Sequence, residues 1–175
     1  MARNIEIKAQ IASVESLEPR AAALATEGPI EIAQDDTFFR CDAGRLKLRA
    51  FSAARGELIF YRRPDQPGPK ESFYLRTPTT DPDGLRACLT LAHGQAGRVV
   101  KQRTLYRVGR TRVHLDRVVG LGDFLELEVV LHEGESAAAG VAEADALMDR
   151  LGIAPEQLVQ TAYVDLLADP RPGSR

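Results

Sequence analysis

The stretch Gly122–Leu131, GDFLELEVVL, limits the folds open to this chain more than any other. As a β-strand it sends alternate residues to opposite faces. Leu125, Leu127, Val129 and Leu131 take one face, and Phe124, Glu126, Glu128 and Val130 take the other. Strands disfavour Glu, and burying a carboxylate is costly. The acidic face therefore meets either solvent, as on an ordinary edge strand, or a polar cavity in which a divalent cation could neutralise it. Glu-x-Glu alone does not separate the two.

Other segments repeat the pattern. Asn4–Ile11 puts Ile5, Ile7, Ala9 and Ile11 on one face and Asn4, Glu6, Lys8 and Gln10 on the other. Arg45–Phe51 sets Arg45, Lys47 and Arg49 against Leu46, Leu48 and Ala50. Three cations on one strand face repel unless water, acids or an anionic ligand lie opposite. Glu57–Arg63 and Lys70–Thr77 also alternate, the second with Lys70, Ser72, Tyr74 and Arg76 in phase. Gly97–Val108 is the most basic strand, aligning Val99, Lys101, Arg103, Leu105 and Arg107. Thr111–Val119 then returns with Arg112, His114, Asp116 and Val118 in phase. With Ile30–Cys41 this makes about eight strands joined by short Gly- and Asp-rich turns.

Helices are expected at Ser13–Ala25, with Ser13 as cap and Pro19 tolerable only near the start. Others are expected over Leu85–Ala92 behind Asp81 or Asp83, over Ala137–Leu151, and over Glu156–Ala168. The expected architecture is α+β and mainly antiparallel β: an eight-stranded closed β-barrel, or tunnel, with flanking helices. Residues 1–168 would form one domain and 169–175 a tail. A small barrel is normally filled by apolar side chains. Here the charged faces require a wet lumen of ligand size.

Charge and composition narrow the function. The formal net charge of −2 disfavours a dedicated nucleic-acid binder. Cations crowd Arg98–Arg117 while acids gather near Asp35–Asp36 and after Asp123, which suits a local anion site. Cys41 and Cys88 have no metal-ligand spacing and read as reduced thiols. No apolar run reaches the ~20 residues of a membrane span. MARNIEIK enters a strand directly, so no signal peptide, no membrane and a cytoplasmic location are expected.

In one lumen, Lys8, Lys47, Arg49, Arg63, Lys101 and Arg103 would supply positive charge, and Glu6, Asp116, Glu126 and Glu128 hard oxygen donors. That combination suits a metal-chelated polyphosphate, since Arg and Lys hold phosphate oxygens and Mg²⁺ bridges carboxylate and phosphate. No Walker or Gly-rich dinucleotide loop is present, and Ser72 lacks a nucleophile elbow. His93, His114 and His132 lack zinc-site spacing, and His114 beside arginines reads as a hydrogen-bonding spacer.

The ordered set of motifs resembles the CYTH superfamily, the triphosphate tunnel metalloenzymes, over nearly the whole chain. Asn4–Lys8 resembles its N-terminal Glu-x-Glu-x-Lys signature. Asp36–Phe39, Gly44–Arg49, Leu58–Arg63, Val100–Arg103, His114–Asp116, Leu121–Glu128 and Ala162–Tyr163 follow in the family's order. The likeness is greatest to the branch that includes class IV adenylyl cyclases.

The resemblance implies an eight-stranded tunnel holding a triphosphate with Mg²⁺ or Mn²⁺. It implies Glu6, Glu126 and Glu128 as metal ligands, with Asp116 a further acid. It implies Lys8, Arg63, Lys101 and Arg103 as catalytic and phosphate-holding cations, with Lys47, Arg49 and Arg112 completing the substrate contacts. The signature's first acid is Asn4 here, so one charge is gone and a second metal is in question. The implied reaction is conversion of ATP to cyclic AMP and pyrophosphate. The alternatives are hydrolysis of tripolyphosphate, thiamine triphosphate or a nucleoside triphosphate, or binding of polyphosphate or nucleotide without catalysis. A homodimer is implied by the cyclase branch alone.

Overall fold

The computed structural model describes residues 2–62 and 69–169. The chain runs β1 (Ala2–Gln10), α1 (Val14–Leu24), β2 (Glu27–Phe39), β3 (Arg45–Ser52), β4 (Arg55–Arg62), β5 (Lys70–Thr79) and α2 (Pro82–His93). It continues through β6 (Gln95–Val108), β7 (Thr111–Val118), β8 (Gly122–Val130) and α3 (Ala137–Leu151). A 3₁₀ turn at Pro155–Gln157 and α4 (Tyr163–Ala168) follow. The strands close into a barrel in the order β1-β5-β4-β3-β2-β6-β7-β8. Every neighbouring pair is antiparallel. The expected closed tunnel with flanking helices is the observed fold.

Closure turns the period-2 alternation into an inside and an outside. Ile5, Ile7, Ala9, Val113, Leu115, Leu125, Leu127 and Val129 face outward and are buried. Val14, Leu17 and Ala21 of α1 and Ala144, Leu147, Met148 and Leu151 of α3 cover them. Full burial of each such aliphatic side chain contributes roughly 1.5–3 kcal/mol. The main hydrophobic core thus lies between the barrel wall and its helices, leaving the lumen free for polar groups. Gly140 allows α3 this close, since a Cβ there would stand 2.6 Å from Ile5 Cγ1 and from Leu131 Cδ2.

Helix boundaries follow local chemistry with two corrections. Ser13 caps α1 by accepting from the Ser16 N–H at 3.1 Å, but Pro19 lies inside the helix rather than at its start. Pro19 is exposed, so its ring meets solvent and the loss is mainly one backbone hydrogen bond. Asp81, not Asp83, caps α2 by accepting from the Gly84 N–H at 2.9 Å.

The second correction concerns the C-terminal segment. The single helix expected over Glu156–Ala168 is a 3₁₀ turn, an extended stretch and a short helix. The extended stretch is captured by β1: Leu158 forms a bridge with Ala9, and the Val159 N–H donates to the Lys8 carbonyl at 2.9 Å. Among the described residues, no helix is long and apolar enough to cross a membrane.

Candidate metal and anion site inside the barrel

The inward positions enclose a cavity of about 380 Å³, within the roughly 300–1,000 Å³ common for small-molecule sites. Among the described residues, nine Lys and Arg side chains and five carboxylates line it, so even fully ionised acids leave this set electropositive. Its exposure is graded. Arg55, Arg76 and Arg107 are exposed, Phe51, Tyr74 and Arg112 are half-buried, and Lys8, Lys101 and Arg103 are buried.

The buried end has a floor. Phe38, Val99, Val118 and Phe124 sit at inward positions and pack on Ala162, Tyr163 and Val164 of the C-terminal segment. Gly97 makes room for this, because a Cβ there would stand 2.4 Å from Val164 Cγ2. Lysines tie the floor down: Lys8 Nζ donates to the Thr161 carbonyl at 3.0 Å and Lys70 Nζ to the Gln160 carbonyl at 2.9 Å. The Tyr163 ring meets Phe124 edge to face at 5.0 Å and lies 4.1 Å from Lys8 Nζ and 4.9 Å from Lys101 Nζ. Each ammonium meets the negative quadrupole of the ring, which favours its charged form.

Above the floor, the charges form three groups. In the first, Asp36 accepts from Lys47 Nζ at 2.8 Å and from Arg49 Nε and Nη2 at 2.7 and 2.8 Å. Burial alone would raise the Asp36 pKa, but Arg49 and Lys47 outweigh it and hold the carboxyl well below its usual range. Burial and the adjacent Arg49 bring Lys47 down to about 8, against the pull of Asp36.

The second group centres on Asp116, which is fully buried. Arg103 donates to it through Nε and Nη2, both at 2.6 Å. Lys101 Nζ lies at 3.2 Å, and the Tyr163 hydroxyl donates at 3.1 Å. Burial opposes ionisation here too, but Arg103 and Lys101 set its pKa at about 2. Burial and the acids Glu126 and Asp116 push the Tyr163 phenol well above its ordinary value, so it stays a donor.

The third group is Glu126, Glu128 and His114, with one ligand atom from each within 4.8 Å of the others. Arg103 Nη2 donates to Glu126 Oε2 at 2.6 Å and Arg112 Nε to Glu128 Oε2 at 2.7 Å. His114 Nδ1 stands 3.9 Å from Glu126 Oε2 and 3.9 Å from Glu128 Oε1, beyond hydrogen-bond reach, and has no hydrogen-bond partner among the described residues. Burial and Arg103 lower the His114 pKa, so the imidazole is neutral at neutral pH. Burial raises and His114, Arg112 and Arg103 lower the pKa of Glu128, leaving it at about 2. Glu126 is held well below its usual range by Lys101 and Arg103 against burial. An unpartnered, neutral imidazole nitrogen beside two ionised carboxylates fits a divalent cation.

Most of the expected site residues meet here. Glu6, Lys8, Lys47, Arg49, Lys101, Arg103, Arg112, Glu126 and Glu128 all line the cavity. Asp116 does not. It is fully buried, with its oxygens taken by Arg103, Lys101 and Tyr163, so it neutralises cations rather than lining the cavity. Arg63 lies outside the described residues.

Sequence reasoning set His114 aside as a spacer, although its strand phase already placed it with Arg112 on the inner face. It did not assign Asp36 its charge-holding role or Tyr163 its place in the floor. Asp36 follows from pairing with Arg49 across β2 and β3. Tyr163 had no periodic signal and stood out only within the ordered motifs.

A family model described as CYTH domain matches residues 2–163. A protein named adenylate cyclase CyaB from Aeromonas hydrophila is 27% identical over 170 residues, covering 91% of this chain and 85% of that one. Among solved structures, the PH1012 protein of Pyrococcus horikoshii OT3 superposes with a TM-score of 0.83 at 24% identity, covering 94% of this chain and 99% of that one. HpAC1 from Hippeastrum, described as having a dominant triphosphatase activity, superposes with a TM-score of 0.66 at 16% identity. There 96% of this chain and 95% of the other are covered.

Proposed function

The chain belongs to the CYTH domain family, and from that premise we propose that it is a metal-dependent enzyme acting on a triphosphate held inside the barrel. The observation that carries this reading is the excess of cations over acids in one cavity, with the His114–Glu126–Glu128 group set among them. A triphosphate and a divalent cation together match that charge pattern, whereas a neutral ligand would leave the cations of the lumen repelling one another.

Glu126, Glu128 and His114, with Glu6 on the neighbouring strand, would hold Mg²⁺ or Mn²⁺. Bound there, the cation polarises a phosphoryl oxygen and offsets charge on the leaving group. Lys8 and Lys101 stand near the floor to receive the deepest phosphate. Arg49, Lys47 and Arg112 hold the chain's length, and Arg103 fixes the acids from below. Because the cations are already held by Asp36, Asp116 and the floor carbonyls, little reorganisation is needed when substrate arrives.

ATP converted to cyclic AMP and pyrophosphate is the reading we favour, in line with the relative named as an adenylate cyclase. Half-buried Phe51 and Tyr74 give the cavity an aromatic side against which a base could lie. Hydrolysis is the second reading. Exposed Arg55, Arg76 and Arg107 leave the outer part of the cavity open to water, the competing nucleophile.

The test is incubation with ATP, tripolyphosphate or thiamine triphosphate and Mg²⁺ or Mn²⁺, with products separated by chromatography. Cyclic AMP with pyrophosphate identifies the cyclase, and orthophosphate identifies the hydrolase. No turnover of any substrate by folded protein overturns both.

A further inference from the structure

We infer that the cation site of this barrel is a mixed nitrogen–oxygen site, with His114 Nδ1 as a ligand, and that it selects a first-row transition ion over Mg²⁺. The metal's purpose rests on the triphosphate reading, but the selectivity is argued from the donors alone.

Two features make His114 a ligand rather than a spacer. It is 4% exposed, and its Nδ1 has no hydrogen-bond partner among the described residues. Leaving a buried polar nitrogen unpaired is costly, and a ligand would relieve that cost. Nδ1 also stands equally far, 3.9 Å, from one oxygen of each glutamate. A cation at ordinary coordination distance of roughly 2.0–2.2 Å fits between such atoms after small side-chain adjustments. The inward alternation of β7 and β8, where His114 pairs with Glu126 and Arg112 with Glu128, fixes this juxtaposition.

The donor set is softer and less charged than an all-carboxylate site. Asn4 lines the same cavity with a neutral Oδ1 that is buried and without a hydrogen-bond partner among the described residues. Glu126 and Glu128 each already share an oxygen with an arginine. Mg²⁺ depends on hard, charged oxygens and gives up water reluctantly. Imidazole favours the transition ions, with Zn²⁺ binding more strongly than Mn²⁺ in most such sites.

The test uses the full chain and metal chlorides, with no triphosphate present. By calorimetry, ZnCl₂ and MnCl₂ are expected to bind at least roughly tenfold more tightly than MgCl₂. In ¹⁵N-histidine-labelled protein, ZnCl₂ is expected to shift the His114 Nδ1 resonance. His114→Asp should narrow the Mn²⁺/Mg²⁺ ratio by about the same factor, and His114→Gln provides the comparison if the added charge impairs folding. Equal affinity for Mg²⁺ and Mn²⁺, an unmoved Nδ1 signal at saturating zinc, or no binding of any of the three metals overturns the inference. Equal affinities or an unmoved Nδ1 signal would leave the triphosphate reading intact, and a failed turnover assay would leave this metal preference standing.

Discussion

The barrel wall has two unlike halves. Along β1, β7 and β8 the outward side chains lie under α1 and α3, and Leu115, Leu125 and Leu127 have no exposure. Among the described residues, α2 buries Leu48 on β3, but the covering along β4 and β5 is thin. Phe60 and Phe73 are half-buried, roofed by the Arg62 guanidinium at 5.9 and 5.3 Å, and Leu75 is 51% exposed. The chemistry divides along the same line. The covered half presents Glu6, His114, Glu126 and Glu128 inward beside Lys8 and Arg112, and the thin half presents Lys47, Arg49, Arg55 and Arg76 beside the single acid Glu57. Metal coordination tolerates little displacement, so its ligands belong on the strands with the best-packed backs. Phosphate contacts by long cationic side chains tolerate more.

The largest expected effect tests the chemistry of the covered half. Glu126→Ala should lower turnover by at least about 10³-fold, roughly 4 kcal/mol of barrier, because one of the proposed metal ligands is gone. Its melting temperature should stay near that of the unsubstituted protein, since Arg103 keeps Asp116. Arg76→Ala on the thin half should instead weaken KM with little change in kcat. Equal losses in kcat for both variants would erase the distinction.

Asp116→Ala comes next. It leaves Arg103 and Lys101 buried near each other without their shared carboxylate, a change that costs about 3–5 kcal/mol for a broken buried pair. Urea unfolding measures it, and a loss under about 1 kcal/mol would mean the cations find another partner. Packing supplies a smaller contrast. Leu127→Ala under α1 and α3 should cost about 2–5 kcal/mol, whereas exposed Leu75→Ala should stay within about 0.5 kcal/mol. Comparable losses at the two positions would show the thin half to be covered in solution.

The legible parts of this molecule were those governed by strand period. Glu126 with Glu128, Lys101 with Arg103, and Lys47 with Arg49 share faces because residues two apart on a strand must, whatever surrounds them. Closure itself was legible from the charge, because so many charged faces could not all back onto an apolar core. The C-terminal segment was not legible. Its composition favours helix, but Lys8 and Lys70, far away in sequence, take the Thr161 and Gln160 carbonyls and hold that stretch extended. Asp116 was misread for a related reason. Strand phase gives the direction of a carboxylate, but not the Arg103 fork, Lys101 and the Tyr163 hydroxyl that occupy it. His114 shows the reverse, a residue whose phase was right but whose lack of a partner only the packed structure reveals.

The smallest expected effect belongs to the thin half and concerns Lys47. Its folded-state pKa of about 8 lies below its ordinary value because burial and Arg49 penalise the ammonium. Lys47 therefore carries its charge in the ligand-free protein below about pH 8 and loses it as pH rises. The penalty on the charged form destabilises the fold at lower pH and fades between about 8 and the unfolded value. Binding has the opposite dependence. A triphosphate beside Lys47 favours the ammonium, so binding above pH 8 must take up a proton, and affinity should fall by up to about tenfold per pH unit there. Calorimetry of tripolyphosphate binding in buffers of different ionisation enthalpy reads that proton directly. Lys47→Arg should bind without the uptake, because a guanidinium stays charged throughout. Lys47→Met should bind more weakly at every pH and also without it. Uptake of the same size in all three proteins would assign the proton to another group and leave the thin half with no titrating contact to phosphate.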